Sequence, residues 1–320
     1  MTTERTDQRT EVPTIQTLSI VVPVFGCRDT LTDLVDRLSV VAGTIEHRLE
    51  ILLVDDGTSD GSWSTIKSLC KSRSDIDIVG VSLSRNFGQH AAITAGLATS
   101  IGDKVAIMDC DLQDPPELIP EMLELGADYD IVLGRRHGRY QSPFRILIAR
   151  MYSTVISTLA GARSDPKIGT FSLLDRKVVI ELLQMPEQNR HIVYMTRWLG
   201  YHQTFLDYNR NDRPHGNSAY SLRGQWNHAI NGIMFQNLRF LSIAILIGML
   251  FAITGIGLGT YVILRRLAGG LLLGWASTMS ITLFGLGALL LLQGIVGIYV
   301  GRVFEEVKAR PSYVIRDIVR

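Results

Sequence analysis

The sequence predicts an α/β fold: a doubly wound, mostly parallel sheet over residues 18–215, then a C-terminal two-helix transmembrane hairpin with juxtamembrane amphipathic helices. Three observations carry this prediction. Short β-branched apolar runs alternate with segments of helical periodicity from residue 18 to residue 133, the pattern of successive βαβ units. Two of those runs end in paired acids, at Asp55-Asp56 and at Asp109-Cys110-Asp111. Two uncharged apolar stretches, 240–264 and 267–301, lie near the end of the chain. Each supplies the ~20 helical residues that a ~30 Å hydrocarbon layer requires.

The elements follow in order. Residues 1–17 are polar and mixed in charge, without an apolar signal-peptide core, and are expected to form a flexible tail. Residues 18–25 (LSIVVPVF) read as a buried strand. The spacing of Leu31, Leu34, Val35 and Leu38 predicts a helix over 29–41. A strand over 50–55 ends in the turn DDGTSDG and leads to a helix over 62–69 and a strand over 76–83. The Ala-rich stretch 88–99 is expected to be helical, 104–108 a strand, and 116–125 a helix with proline in its first turn. Strands over 130–133, 170–174 and 201–208 and helices over 144–160, 176–183 and 194–200 follow. Trp226, Ile230, Ile233 and Met234 give 220–236 an apolar side, read as a juxtamembrane amphipathic helix within 216–238.

Spans are expected over 240–264 and 272–300, inside a 239–301 membrane segment. In hydrocarbon a helix satisfies its own backbone, so both should be helical. Arg239 precedes the first; Arg302, Lys308, Arg310, Arg316 and Arg320 follow the second and outnumber Arg265 and Arg266 between them. By the positive-inside tendency, the 18–215 domain, both termini and segment 302–320 are expected on the cytoplasmic face of the membrane. Glycines such as Gly248, Gly255, Gly294 and Gly297 permit close helix contact.

Composition excludes several classes. A net charge of +1 gives no footprint for nucleic acid. Cys27, Cys70 and Cys110 are an odd count without CxxC spacing, which argues against a disulfide framework or zinc site and suits a reducing compartment. The histidines show no metal spacing, and His90 reads as packing. One charge cluster stands out: five arginines and no acid between Arg135 and Arg150, suited to an anionic ligand.

The acidic strand ends carry the chemistry. In an open α/β sheet, ligands bind beyond the carboxyl ends of the strands. Asp109, Asp111 and Gln113 alternate along an extended segment, so their oxygens point one way. Such hard ligands suit Mg²⁺ or Mn²⁺, and Mg²⁺ usually shares its shell with substrate phosphates. Asp55 is placed to accept from a base or ribose, whereas Asp60 is better placed to cap the next helix.

The runs SIVVPVF (19–25), LLVDDGTSDGS (52–62), LSRNFGQHAAITAGL (83–97), DCDLQDPPELIP (109–120) and VKARPSYVI (307–315) resemble glycosyltransferase family 2, of GT-A fold. Within it the chain is most similar to polyprenyl-phosphate glycosyltransferases of the dolichol-phosphate mannose synthase and bactoprenol glucosyltransferase type. The likeness runs from residue 18 to the end. It implies a metal-dependent hexosyltransferase of cell-envelope or lipopolysaccharide pathways, with a nucleotide-sugar donor, a polyprenyl-phosphate lipid acceptor, Mg²⁺ or Mn²⁺, and a homo-oligomeric (tetrameric) state. Pro23, Phe25, Asp55, Asp56 and Asp109 would line the nucleotide pocket. Asp109, Asp111 and Gln113 would hold the metal and the diphosphate. Arg136, Arg139 and Ser142, in GRRHGRYQS (134–142), would bind the lipid phosphate, a task for which the arginine fork is suited. Arg210 and Arg213 would close on the donor diphosphate.

Three positions depart from the family pattern. Pro23-Val-Phe-Gly-Cys27 lacks a usual carboxylate, Gly169-Thr170-Phe171 has threonine for the usual aspartate, and Ala219 replaces a usual lysine. They leave room for a different donor or acceptor, with Asp114 and Asp165 as candidate bases toward a hydroxyl. Two alternatives to the lipid-phosphate reading therefore stand: transfer to a hydroxyl of a lipid-linked saccharide, and a two-helix transport subunit with a nucleotide-sensing domain. Trp198 and Tyr201 fit stacking on sugar or lining of an acceptor groove, and fit core packing at least as well.

Overall fold

The computed structural model describes residues 16–137, 167–188, 190–209, 239–268 and 274–320. The helices expected over 144–160 and 220–236 lie outside these residues, as do Arg139, Ser142, Asp165, Arg210 and Arg213. The chain divides into two compact units.

The first unit is built on strands β1 (Thr17–Val24), β2 (Arg48–Asp55), β3 (Asp77–Leu83), β4 (Lys104–Ile107), β5 (Ile131–His137), β6 (Ile168–Asp175), β7 (Gln203–Asn209) and β8 (Ile315–Val319). They form one sheet in the order β7-β5-β6-β4-β1-β2-β3-β8. β1 pairs in parallel with β2 and β4, and β2 with β3. β6 runs antiparallel between β4 and β5, and β5 pairs in parallel with β7. The central strands are buried on both faces, which explains their continuous apolar runs: Leu18, Ile20, Val21, Val22 and Val24 are all fully buried.

Helices α1 (Leu31–Ala42), α2 (Ser62–Ser72), α3 (Gln89–Thr99), α4 (Ile119–Leu125), α5 (Arg176–Gln184) and α6 (Ile192–Trp198) complete the unit. Leu31, Leu34, Val35 and Leu38 of α1 are buried, as their spacing predicts. Asp60, one residue before the Gly61 N-cap, steadies the start of α2, its Oδ1 accepting from the Ser62 N–H at 2.9 Å. In α3 every residue from Ala91 to Leu97 is buried. Its small side chains let it lie close to the sheet: a Cβ on Gly96 would fall 2.3 Å from Val21 Cγ1.

β8 departs from the expectation. The sequence offers 302–320 as a cytoplasmic C-terminal segment with no strand in it, yet Ile315–Val319 pairs antiparallel with β3 and closes that edge of the sheet. Val319 packs where Gly80 has no side chain; a Cβ there would sit 2.7 Å from Val319 Cγ2.

The second unit contains α7 (Arg239–Leu267) and α8 (Trp275–Lys308). Both are long and apolar enough to cross a membrane, over Gly248–Arg265 and Phe284–Lys308, and neither stretch is buried within the protein. That separates them from the core helix of a soluble domain, which hides its apolar surface. The two helices touch through Phe251 and Phe284, whose ring centroids are 5.3 Å apart.

Candidate active site

The site forms where the strand order reverses. β2 and β3 lie to one side of β1 and β4 to the other, and the crevice at such a switch point is the ordinary ligand site of an open α/β sheet. Pro23 helps to open it. Its neighbours Val21 and Val24 direct their carbonyls toward Met108 and Asp56 respectively, so alternation turns Pro23 toward β4, whose pairing with β1 ends at Ile107. A proline lacks the N–H a longer ladder would need. Phe25 follows with its ring half exposed at the rim.

At the end of β2, both acids are buried but do different work. Asp56 accepts from the backbone N–H groups of Phe87 (2.7 Å) and Gly88 (2.9 Å), one at each oxygen. It therefore anchors the loop between β3 and α3. Asp55 accepts from the Thr58 N–H at 3.2 Å and the Ser82 hydroxyl at 3.1 Å. Burial pushes both carboxyls above their ordinary range, and these hydrogen bonds pull the other way.

The loop held by Asp56 carries Gln89, which reaches the second acidic end: its Nε2 donates to Asp109 Oδ1 at 2.7 Å. Thr170 also donates to that oxygen, at 3.1 Å. Thus the threonine that replaces the usual aspartate has a defined partner. Neither contact was anticipated; for Gln89 the clue was its position in the same FGQ stretch as the loop that Asp56 anchors.

Arg136 faces inward. Its Nη2 lies 4.0 Å from Asp109 Oδ2 and 3.6 Å from Asp114 Oδ1, and its Nε donates to Tyr208 Oη at 3.1 Å. The Tyr208 hydroxyl in turn donates to Asp114 Oδ1 at 2.5 Å. The fork fits because residue 169 is glycine: a Cβ there would fall 2.4 Å from Arg136 Nη2. Asp114 is completely buried; its Oδ1 meets both Tyr208 and Arg136, and its Oδ2 has no hydrogen-bond partner among the described residues. Its neighbour Arg135 points elsewhere, forming a bidentate pair with Asp207 at 2.5 and 2.7 Å.

Between these acids the chain turns sharply at Leu112, which has φ +59°, a conformation that costs a side-chain-bearing residue about 1–2 kcal/mol. Burial of Leu112 in the core holds it there. The turn brings the Gln113 N–H to Asp111 Oδ1 at 3.2 Å. Burial, then the charges of Asp114 and Asp111, push the Asp109 carboxyl up to about 6. Among the described residues no three His, Cys, Asp or Glu side chains form a ready metal cage. Asp109 and Asp111 nonetheless fit a divalent ion that takes its remaining ligands from phosphates and water, and crowded carboxylates beside one guanidinium favour an added cation.

The cysteine expectation is corrected here. Cys27 and Cys110 form a disulfide, with Cα atoms 6.1 Å apart. They lie 83 positions apart in sequence, but β1 and β4 are neighbours, so the residues just beyond their ends meet across the crevice. The Thr30 hydroxyl, bridging the Cys27 and Cys110 carbonyls at 3.0 and 2.7 Å, ties the same two segments together. Cys70 is the free cysteine. Trp198 is 77% exposed, so core packing does not describe it. His90 packs against His191, with ring centroids 4.4 Å apart.

A GT-A fold, with acids at the mouth of its β1/β4 crevice, defines the class as a glycosyltransferase domain. The comparisons agree: residues 19–183 match the model of "Glycosyl transferase family 2", and the chain belongs to that family. It is 36% identical over 304 residues to an uncharacterized glycosyltransferase of Synechocystis sp., covering 94% of this chain and 95% of that one. It is 32% identical over 320 residues to the undecaprenyl-phosphate 4-deoxy-4-formamido-L-arabinose transferase of Aeromonas hydrophila, covering 96% and 95%. Among solved structures, glucosyl-3-phosphoglycerate synthase from Mycobacterium tuberculosis, in complex with Mn²⁺ and UDP-glucose, aligns over 67% of this chain and 76% of that one, with 18% identity and a TM-score of 0.46.

Proposed function

We propose that this chain is a membrane-anchored inverting glycosyltransferase that moves a sugar from a UDP- or GDP-sugar to polyprenyl phosphate. The observation that carries this reading is the Asp109-Cys110-Asp111 segment at the β1/β4 crevice of a family 2 chain that also has two apolar, unburied helices. Full-length similarity to undecaprenyl-phosphate sugar transferases supports the acceptor. The helices hold the domain at the bilayer surface, where the phosphate of a long lipid emerges.

Asp109 and Asp111 would hold Mg²⁺ or Mn²⁺, with Gln113 beside them; a bound divalent ion supplies charge compensation for the departing diphosphate. Gln89 and Thr170 orient Asp109. Arg136, with Arg139 and Ser142, would receive the acceptor phosphate, and Arg210 and Arg213 would cover the donor diphosphate. Asp55, with Phe25 beside it, takes the nucleoside. A phosphate monoester is already ionised at neutral pH, its second pKa being about 6. Catalysis then needs placement and screening rather than a strong base, which agrees with the absence of an aspartate at 170. One in-line displacement inverts the anomeric centre.

Both ends of the α7–α8 excursion belong to the first unit, which β8 rejoins. An even number of crossings satisfies that connectivity and supports a hairpin with both termini on one side of the membrane. The donor is tested by thermal unfolding of the full-length protein in detergent with Mn²⁺ and a panel of nucleotide sugars. A true donor at 100 times its Kd should add about 2.7 kcal/mol; no shift with any UDP- or GDP-sugar sinks the donor assignment.

A further inference from the structure

The C-terminal strand does more than close a sheet edge. β8 pairs with β3 so that Asp317 lies opposite Ser82, and Ser82 lies opposite Asp55 of β2. The Val314 carbonyl accepts from the Ser84 N–H at 2.9 Å, fixing the strand where it joins the sheet. From this strand Arg316 extends back over β3, and its Nη2 donates to Ser82 Oγ at 2.8 Å. Ser82 is completely buried and donates onward to Asp55 Oδ2 at 3.1 Å.

The direction of this chain follows from hydroxyl chemistry. Serine has one proton and two lone pairs. With Arg316 donating into the oxygen, the Ser82 proton is turned to Asp55. The guanidinium also supplies the positive charge that opposes the effect of burial on the Asp55 carboxyl. Asp55 is completely buried at the end of β2, with its Oδ1 on the Thr58 N–H and its Oδ2 on Ser82; each carboxylate oxygen has a second lone pair, which a ligand N–H seated at that strand end would take.

We infer that Arg316, on the strand that follows the apolar helices, is a positioning residue for the nucleoside end of the donor pocket, acting through Ser82 on Asp55. This deepens the donor reading above and rests on it. The ligand class is a nucleoside diphosphate whose base presents an N–H to a carboxylate. The 311–320 segment is then part of the donor site, and the site is complete only once the chain has passed through α7 and α8 and returned.

The test is equilibrium binding of UDP and GDP with Mn²⁺ to the full-length protein in detergent, alongside steady-state KM values for donor and lipid. Arg316→Gln is expected to weaken binding of the preferred nucleoside diphosphate about tenfold, or about 1.4 kcal/mol, and to raise donor KM with kcat and lipid KM little changed. Arg316→Lys should recover most of that loss, and Arg320→Gln, on the same terminal segment, should bind as the parent does. Ser82→Ala should weaken binding similarly, and adding Arg316→Gln to it should cost little more, because the two act as one chain. Undiminished nucleotide binding by Arg316→Gln in a parent that binds overturns this inference alone. Parallel loss of donor and lipid affinity with a lowered melting temperature also overturns it, as a merely structural role. A parent that binds no nucleoside diphosphate overturns the donor reading and this one together.

Discussion

Gly57 follows the acidic pair on β2 and has φ +65°. A Cβ at this position would lie 2.4 Å from the Arg85 carbonyl carbon and 2.6 Å from the Asn86 nitrogen. Both are backbone atoms, so no rotamer change relieves the collision. The 85–88 loop must move, and that loop delivers the Phe87 and Gly88 N–H groups to Asp56. Gly26 offers a natural control: its φ is +70°, and a Cβ there meets nothing within 4 Å. Gly26→Ala should therefore cost only the left-handed backbone penalty of about 1–2 kcal/mol. Gly57→Ala adds the weakening of two hydrogen bonds to a carboxylate, each worth about 1.5–3 kcal/mol, for a total of about 4 kcal/mol or more. At roughly 2–4 °C per kcal/mol for a domain of this size, its melting temperature should fall by roughly 10 °C or more, and that of Gly26→Ala by only a few degrees. Thermal unfolding of both full-length variants in the same detergent reads the difference directly. Melting temperatures within 2 °C of each other, on the scale of that conversion, would rule out the clash with the 85–88 loop. A shifted 85–88 loop should also misplace Gln89, so Gly57→Ala should lose donor affinity even at temperatures where it is folded.

Other expectations follow from the same geometry. The Asp109 carboxyl, raised to about 6 against an ordinary 3.8, favours the fold below about pH 4, and this contribution is lost as pH rises through 6. The metal-free Asp109→Asn protein should consequently be more stable than the parent at pH 7.5, by up to about 3 kcal/mol, and equal to it near pH 4; a lower melting temperature at pH 7.5 would count against the crowding described. Tyr208→Phe removes the donor to the fully buried Asp114 and the acceptor for Arg136, which should cost about 1–3 kcal/mol in denaturant unfolding; an unchanged midpoint would contradict it. The Cys27–Cys110 bond predicts one titratable thiol in unreduced, denatured protein and three after reduction. Removing it by Cys27→Ser with Cys110→Ser should lower stability by about 2–4 kcal/mol. Three free thiols before reduction would dismiss the bond.

Much of the fold was legible because its signals are local. Apolar runs such as 18–25 and 50–55 mark strands buried on both faces, and the acids at 55, 56, 109 and 111 mark where those strands end. The site was legible as a segment rather than a network. Nothing in the sequence joins Cys27 to Cys110, because only the adjacency of β1 and β4 brings them together. Arg136 could be read as a phosphate ligand from its arginine-rich neighbourhood. Its inward turn toward Asp109 and Asp114 depends on the missing side chain of Gly169 and on Tyr208 from β7, which are tertiary facts. β8 was not legible because Ile315–Val319 is short and carries two charges in five residues, a sequence typical of an edge strand, and pairing with β3 rather than propensity makes it a strand.

On the proposed function, the acidic crevice serves a lipid acceptor that brings its own phosphate. The most direct test incubates the purified protein with its preferred nucleotide sugar, Mg²⁺ and either undecaprenyl phosphate or undecaprenol, following labelled sugar into lipid. Label should enter lipid only with the phosphorylated acceptor, and Asp111→Ala should abolish it without unfolding the protein. Transfer to undecaprenol, transfer only to a saccharide hydroxyl, or full activity in Asp111→Ala would overturn the lipid-phosphate function.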